Sequence, residues 1–308
     1  TLQGRVIVPS GVTLTIPAGT IIKATAGTGA NASSLVIARG GKLMAEGTAS
    51  APIIMTSESD DIAVGQTSGS SLTENVRGLW GGLLVMGNAP CSFSGDVAEL
   101  QIEGIPASET AGLYGGSDPA DNSGVIQYVS IRHGGAEIGE GNEINGLTLG
   151  GVGTGTTIDH IEVVGNVDDG IEFFGGTVNA SELLVWGQGD DGLDIDQAYA
   201  GTISNSMVIL NSASDHALEI DGPEGSAPGS FTLNNITLVG TNDECDPTGV
   251  DGEISDYRKG ATGANNNVYV MNFTDGKDIE LDKDADANSY TAGTLTFSGY
   301  QFTPAVHD

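Results

Sequence analysis

The chain has 308 residues, and its 48 Gly, with few Leu-rich or Lys/Glu-rich stretches, argue against a helical protein and favour many short strands. Lys and Arg number 10 against 41 Asp and Glu, a net charge of −31, which excludes nucleic acid and anionic membranes as natural partners and favours cations. No apolar run reaches the roughly 18 residues that span a bilayer. The same charge also fits a protein that stays soluble in a salty medium.

The predicted elements begin with short strands near the N-terminus. The segments VTLTIPAGTIIKA, SLVIARGGKLMAEG and APIIMTS each repeat a few apolar residues followed by a turn residue. We predict one domain over residues 1–308, with N-terminal rungs over about 1–56, central rungs over about 78–240 and less regular rungs over about 241–308. Three polar, Gly-rich stretches are predicted to be inserted loops: residues 57–76, 105–123 and 241–266.

An acidic pattern recurs in four segments of the second half of the chain. They are DDGIEFF (168–174), DDGLDID (190–196), DHALEID (215–221) and GKDIELD (276–282). Apolar and acidic residues alternate in each segment, which is typical of a strand with one buried face. Their shared phase predicts that Ile171, Leu193 and Leu218 stack in one inward column.

Several short strands in each coil of about 22 residues favour an all-β fold, a single-stranded parallel β-helix. Such a solenoid would have roughly ten or more rungs, stacked about 4.8 Å apart. A doubly wound α/β fold needs amphipathic helices between its strands, and the sequence shows none. A β-sandwich would not place the same acidic tripeptide at the same phase in consecutive repeats.

The acidic residues of these strands are predicted to form a ladder on the outer face. Two full charges on neighbouring rungs repel by roughly 3–4 kcal/mol at an effective dielectric of 20, and residues 157–257 contain no Lys or Arg. The ladder must therefore splay into water, take up protons or bind a metal. Carboxylates are ligands for Ca²⁺, so we predict a calcium site formed by Glu172, Asp194, Asp196, Glu219 and Asp221. A solvated face that binds nothing is the alternative.

The paired aspartates that precede these strands have a second interpretation. Asp before Gly suits tight corners, and stacked Asp or Asn side chains at the bends of a β-helix can satisfy backbone groups. This interpretation covers Asp168, Asp169, Asp190 and Asp191 well. It covers the carboxylates within the strands poorly.

The run GNEINGLTLGGVGTGTTIDHIEVVGNVDDGIEFFGGTVN (141–179) resembles a family of bacterial β-helix surface proteins and lipoproteins, of a marine or Bacteroidetes type. The N-terminal rungs and RGLWGGLLVMGNAP look like the same family, so the resemblance covers roughly residues 1–240. It implies a right-handed parallel β-helix, a pectin-lyase-like solenoid, at an extracellular or outer-surface location. It implies no established reaction.

A second, local resemblance is to polygalacturonase-like glycoside hydrolases. The motifs NVDDG, GDDG, SDHA and YRKG occur here in the order of that family's motifs. The resemblance implies that Asp168 or Asp169, Asp190 and Asp191 are acid and base carboxylates. It also implies that His216 supports them and that Arg258 or Lys259 holds a substrate carboxylate. The glycines that flank the family's histidine are missing, and Arg258 lies 42 residues beyond His216 in a predicted loop.

Two functions remain open at this point. The first is a non-enzymatic adhesin or glycan-binding scaffold with a Ca²⁺-binding face and no organic cofactor. The second is a polysaccharide hydrolase or lyase that uses the same face. The expected partner is an extracellular polysaccharide or another surface protein, and a lipid anchor outside this chain is one mode of attachment. The four aromatic side chains that could stack on sugars, unless they only pack, are Trp80, Tyr114, Trp186 and Tyr199.

The two cysteines, Cys91 and Cys245, match no metal-binding spacing. Several rungs lie between them in the predicted solenoid, whereas a disulfide needs Cα atoms within about 7 Å. We therefore predict that they are not paired with each other.

Overall fold

The computed structural model describes residues 1–27, 29, 32–136, 144–241, 253–273 and 277–303. Within them the chain winds as a parallel β-helix, in which each coil adds one strand to a first long sheet and either one long strand or two shorter ones to a second. The first sheet has nine parallel strands: β1 (Arg5–Val8), β4 (Ser34–Ile37), β7 (Leu83–Met86), β11 (Leu147–Gly150), β13 (Ile171–Phe174), β15 (Leu193–Asp196), β17 (His216–Asp221), β19 (Glu253–Arg258) and β21 (Ile279–Leu281).

The second sheet runs alongside the first, and its strands also pair in parallel. Its twelve strands are β2 (Thr13–Ile16), β3 (Ile21–Ala24), β5 (Lys42–Glu46), β6 (Ile53–Ser57), β10 (Gly124–Arg132), β12 (Thr157–Val164), β14 (Ala180–Trp186), β16 (Thr202–Ile209), β18 (Phe231–Val239), β20 (Gly263–Met271), β22 (Leu295–Ser298) and β23 (Gln301–Thr303). The rest of the regular structure described is a small antiparallel hairpin, β8 (Leu100–Gln101) with β9 (Leu113–Tyr114), one α-helix, α1 (Asp284–Ala292), and two single-turn 3-10 helices at Ser94–Asp96 and Thr110–Gly112.

The long strands of the second sheet bend at their middle. In the early coils the two halves are separate strands, because β10 pairs with β5 through its first half and with β6 through its second. At the bend of the later strands the backbone takes a left-handed conformation, with φ of 53° at Asn205, 58° at Asn235 and 55° at Asn267. Asparagine tolerates this region better than most residues. The three amides also bond to one another along the solenoid, at 2.8 and 3.2 Å.

The predicted all-β parallel β-helix and its inward column are confirmed. Ile171 pairs with Leu193, and Leu193 with Leu218, in neighbouring strands of the first sheet, and all three side chains are fully buried. The first sheet has nine strands in the described part of the chain, slightly fewer than the expected ten or more rungs. Since the same apolar type recurs at each level, one hydrophobic core runs through the solenoid.

The prediction that residues 241–266 form a loop is wrong for the end of that stretch. Residues 253–258 are β19, and β20 begins at Gly263, so both sheets continue through it. Arg258 therefore ends a strand instead of lying in a loop, and Asp256 stands between Glu219 and Glu280 in register. Residues 58–76 and 105–123 do leave the rungs: Ser57 is the last residue of β6, and the short strand β9 pairs with β8 outside the two long sheets.

Candidate functional site

One outward column of the first sheet changes chemistry along the solenoid. It begins with the apolar residues Ile7, Val36 and Leu84 and continues through Thr148. Each later position is a carboxylate: Glu172, Asp194, Glu219, Asp256 and Glu280. The predicted ladder therefore exists in strict register, one acid in each rung.

The insertion after β7 covers the apolar part of this column. Phe93, Ile105 and Tyr114 pack with Val36 and Leu84 in a second hydrophobic cluster, outside the solenoid core. The cluster reaches Phe174, whose ring lies edge-on to that of Tyr114 at 5.9 Å. The insertion thus ends where the acidic part begins, and it forms a wall there.

Beyond this wall the acidic side chains form a cleft of about 500 Å³. Eleven carboxylates and two cationic side chains line it together with Phe174: Glu103, Asp168, Asp169, Glu172, Asp190, Asp191, Asp194, Asp196, Asp215, Glu219, Asp221, Arg258 and Lys259. All the predicted site residues except His216 are among them. The residues that the polygalacturonase resemblance implied and the residues predicted to bind calcium therefore line the same cleft, with His216 as the exception.

The floor of the cleft is buried, in contrast to the exposed ladder that we expected. Glu172 is 4% exposed and Asp194 is 7% exposed. The turn aspartates that precede the strands line the cleft as well, and the insertion packs at one end of it. A buried carboxylate cannot splay into water, so only protons, cations or bound metal can balance these charges.

The turn aspartates form a ladder of their own. The side-chain oxygen Oδ1 of Asn145 accepts the backbone N–H of Asp169 at 3.2 Å. Oδ1 of Asp169 accepts the N–H of Asp191 at 2.9 Å, and Oδ1 of Asp191 accepts the N–H of His216 at 2.7 Å. The turn interpretation therefore describes Asp169 and Asp191, and these bonds fix the position of both carboxylates.

His216 lies behind the cleft, where its Nδ1 is 2.8 Å from Oδ1 of Asp191. Burial alone lowers the pKa of this imidazole, but the bond to Asp191 and the charges of Asp191 and Asp215 outweigh it and raise the pKa to about 9. The ring is therefore a cation at neutral pH. The imidazole is thus a countercharge for these carboxylates, and a ring nitrogen of His216 also lies within 4.8 Å of one oxygen each of Asp191 and Asp215, a group that could hold a metal ion.

Arg258 and Lys259 lie at the opposite end from the wall. Nε of Arg258 is 2.7 Å from Oδ1 of Asp221, and its Nη2 also bonds to Glu219. Nζ of Lys259 is 2.6 Å from Oδ2 of Asp221. The expectation of a ladder without a fixed cationic partner is therefore wrong at this end. Burial acts in the opposite direction, but these two bonds lower the pKa of Asp221.

Near the wall, no cationic side chain among the described residues forms a salt bridge with Asp169, Glu172 or Asp194. One oxygen each of Asp169, Glu172 and Asp194 lie within 4.8 Å of one another, and Asp168, Asp169 and Asp190 form a second such group. Burial first, and then the neighbouring carboxylates, raise the pKa of Asp169, Glu172 and Asp194 well above the ordinary range. Oδ1 of Asp194 has no hydrogen-bond partner among the described residues.

The sequence matches the family model described as a pectate-lyase-like beta helix domain, over residues 1–308. The chain belongs to the pectate-lyase-like β-helix family. It is similar in structure to a pectin methylesterase from Aspergillus niger, with 12% identity and a TM-score of 0.38 over 94% of this chain and 77% of that one. It is also similar to the catalytic domain of a GH87 α-1,3-glucanase in complex with tetrasaccharides, with 8% identity and a TM-score of 0.24 over 98% of this chain and 64% of that one. No curated protein matches the chain.

Some residues of the cleft in this pectate-lyase-like β-helix were not predicted from the sequence. Asp215 lies in a segment that the repeat singled out, so its position one residue before His216 was a usable signal. Glu103 comes from the insertion, and Asn145 from the turn before β11, where no acidic repeat marks them. None of the helices that the structure describes is long and apolar enough to cross a membrane.

Proposed function

We propose that the acidic cleft binds Ca²⁺ and that the calcium-loaded cleft binds an extracellular polysaccharide, as part of a non-enzymatic surface module. The observation that carries the proposal is the group formed by Asp169, Glu172 and Asp194. Its oxygens lie within 4.8 Å of one another, all three residues are buried, and Oδ1 of Asp194 has no hydrogen-bond partner among the described residues.

The charges in this group need a counterion. Two full charges separated by 4.8 Å repel by about 3–4 kcal/mol at an effective dielectric of 20. The neutral amide of Asn145 donates to Glu172, but an amide does not offset a charge. The described cationic groups of the cleft pair with Glu219, Asp221 and Asp191. A proton or a metal ion is what remains for Asp169, Glu172 and Asp194.

The ligand atoms select the kind of metal. Carboxylate oxygens suit Ca²⁺, which takes six to eight oxygen ligands at about 2.3–2.6 Å. Zinc sites in proteins rely mainly on His nitrogen and Cys sulfur, and the group of Asp169, Glu172 and Asp194 offers carboxylate oxygens alone. The strands hold the group rigidly on one side, and the cleft is open on the other, so water or a sugar oxygen can complete the coordination.

A bound cation also explains how a polysaccharide could approach this protein. With a net charge of −31, the protein repels an acidic polymer. Ca²⁺ on the cleft floor would bridge protein carboxylates to the carboxylates or hydroxyls of the polymer. Membership of the pectate-lyase-like family supports a polysaccharide as the ligand. An extracellular location suits such a site, since extracellular calcium modules bind with dissociation constants of about 10⁻⁴–10⁻³ M.

Calorimetric titration of CaCl₂ into metal-free protein tests the first half of this proposal. The parent should bind Ca²⁺, Asp194→Asn should bind it at least about tenfold more weakly, and Glu182→Gln, an exposed acid on the second sheet, should bind as the parent does. Sedimentation with polygalacturonate, with and without CaCl₂, tests the second half. Equal Ca²⁺ binding by the parent and Asp194→Asn would refute the site.

One observation favours a second function, polysaccharide hydrolysis. Asp196 and Asp221 face the same cation at the cationic end of the cleft, because Nζ of Lys259 lies 4.0 Å from Oδ1 of Asp196 and 2.6 Å from Oδ2 of Asp221. Burial and then the charge of Asp221 raise the pKa of Asp196 to about 7, whereas Arg258 and Lys259 lower that of Asp221. Carboxyls whose pKa values are pushed apart can serve as acid and base. If the parent releases reducing ends from a polysaccharide and Asp196→Asn does not, the protein is an enzyme. If no tested polymer releases reducing ends, the non-enzymatic binding module is the function that remains.

A further inference from the structure

The second sheet carries an unusual surface on its outer face, beyond the bend of its strands. Six outward residues of β14, β16, β18 and β20 form it, and we call them the apolar strip: Leu184, Trp186, Met207, Ile209, Val239 and Tyr269. Trp186 is 39% exposed, and Met207 and Tyr269 are each 37% exposed. Of the four aromatic residues considered for sugar stacking, only Trp186 is exposed, because Trp80, Tyr114 and Tyr199 are buried.

The strip is uncharged, although the protein is strongly acidic. No Asp, Glu, Lys or Arg occupies the outward positions of these four strands after the bend, where Thr237 and Met271 are the remaining residues. The exposed asparagine ladder, Asn205, Asn235 and Asn267, borders the strip on β16, β18 and β20 and offers amide groups there. At the β14 end the border is acidic, because Glu182 occupies the bend and Glu162 of β12 lies beside Leu184 in register. An uncharged ligand therefore fits this face better than a charged one.

The dimensions of the strip separate two kinds of occupant. Four neighbouring strands span about 14 Å, and two outward positions along a strand lie about 7 Å apart. This footprint of about 100 Å² is far below the roughly 800 Å² that each partner buries in a stable protein complex. A second copy of this chain would also bring its own charge of −31. A single extended polymer fits the width.

We propose that the apolar strip binds one chain of an uncharged polysaccharide. The faces of its sugar rings would lie on Trp186 and Tyr269, which stand three strands apart, and Met207 would fill the space between them. Aromatic rings suit this task because they bury a large apolar face with little loss of conformational freedom. The asparagine ladder would take the hydroxyls at the ring edges. The strip and the acidic cleft lie on different sheets, so both can be occupied together.

Native gel electrophoresis through xyloglucan, mixed-linkage β-glucan or galactomannan, with EDTA present, tests the proposal independently of calcium in the cleft. The parent should be retarded by at least one of these polymers. Trp186→Ala and Tyr269→Ala should each bind about five- to tenfold more weakly, and Trp186→Tyr should keep most of the binding. Tyr290→Ala is the matched control, because Tyr290 is exposed but lies in α1, away from the strip.

Melting curves establish that each variant is folded. The proposal is overturned if no gel retards the parent, or if Trp186→Ala and Tyr290→Ala lose the same affinity. Sedimentation velocity gives a third outcome. A dimer that Trp186→Ala dissociates would make the strip a protein interface, and that too would overturn the proposal.

Discussion

Asp194 and Glu172 occupy neighbouring rungs in direct register, and one oxygen of each lies within 4.8 Å of the other and of Asp169. Neither carboxylate has a cationic side chain as a hydrogen-bond partner among the described residues. The fold forces this contact, because the inward residues on either side, Ile171 with Leu193 and Phe173 with Ile195, lock the two strands in place. Because the two carboxylates cannot move apart, their charges must be balanced by protons, by cations or by a bound metal ion.

Calcium should raise the melting temperature of the protein. A ligand that binds only the folded state stabilises it by about 2.7 kcal/mol at a hundredfold excess over its dissociation constant, which corresponds to several degrees for a chain of this size. Differential scanning calorimetry in millimolar CaCl₂ and in NaCl of equal ionic strength measures the effect. Sodium controls for general screening, so equal shifts in the two salts would mean that the carboxylates form only a solvated face.

Without metal, Asp194→Asn should be at least as stable as the parent. The amide has nearly the same shape as the carboxylate and removes one charge from the group with Asp169 and Glu172, so repulsion falls. In CaCl₂ the order should reverse, because the variant loses a ligand. Urea unfolding in EDTA and in CaCl₂ measures both comparisons. A variant that is less stable than the parent in EDTA would show that Asp194 is protonated and hydrogen-bonded instead.

Arg258→Gln should destabilise the protein by about 2–3 kcal/mol, because it leaves Glu219 and the buried Asp221 with less countercharge. Arg39→Gln is a suitable control, since its partner Glu99 is largely exposed and such pairs contribute about 1 kcal/mol or less. Urea unfolding measures both. Similar losses in the two variants would show that the Arg258 pair acts as an ordinary surface pair.

Cys91 should resist alkylation in the folded protein. Burial raises the pKa of its thiol to about 12, so almost no thiolate, the reactive form, exists at mildly alkaline pH. Peptide mapping after iodoacetamide treatment should find Cys91 unmodified in buffer and modified in denaturant. Cys91 forms no disulfide with a described residue, and Cys245 lies outside the described residues, so the same mapping tests the prediction that the two are unpaired.

The alternation of apolar and acidic residues was sufficient to predict the inward column, the acidic ladder and the sheet that holds them. It failed at β19, because Ser255 takes an inward position that Leu218 holds one rung earlier, and the apolar rhythm is lost there. It also failed to predict the burial of Glu172 and Asp194. Local periodicity predicts which face of the sheet a side chain lies on. It does not predict how deeply that face is buried, because the insertion that packs at the end of the cleft is distant in sequence.

The wall at Phe174 gives the cleft a direction. The acidic column stops against the insertion at one end, while at the other it continues past Asp256 to Glu280, which is exposed. A linear polymer that lies along the column, across the strands, would meet a barrier on one side and solvent on the other. If the cleft binds a polysaccharide as proposed, such a groove would favour the terminus of a chain over its interior. The number of bound chains would then rise as a long glycan is cut into shorter pieces of the same total mass.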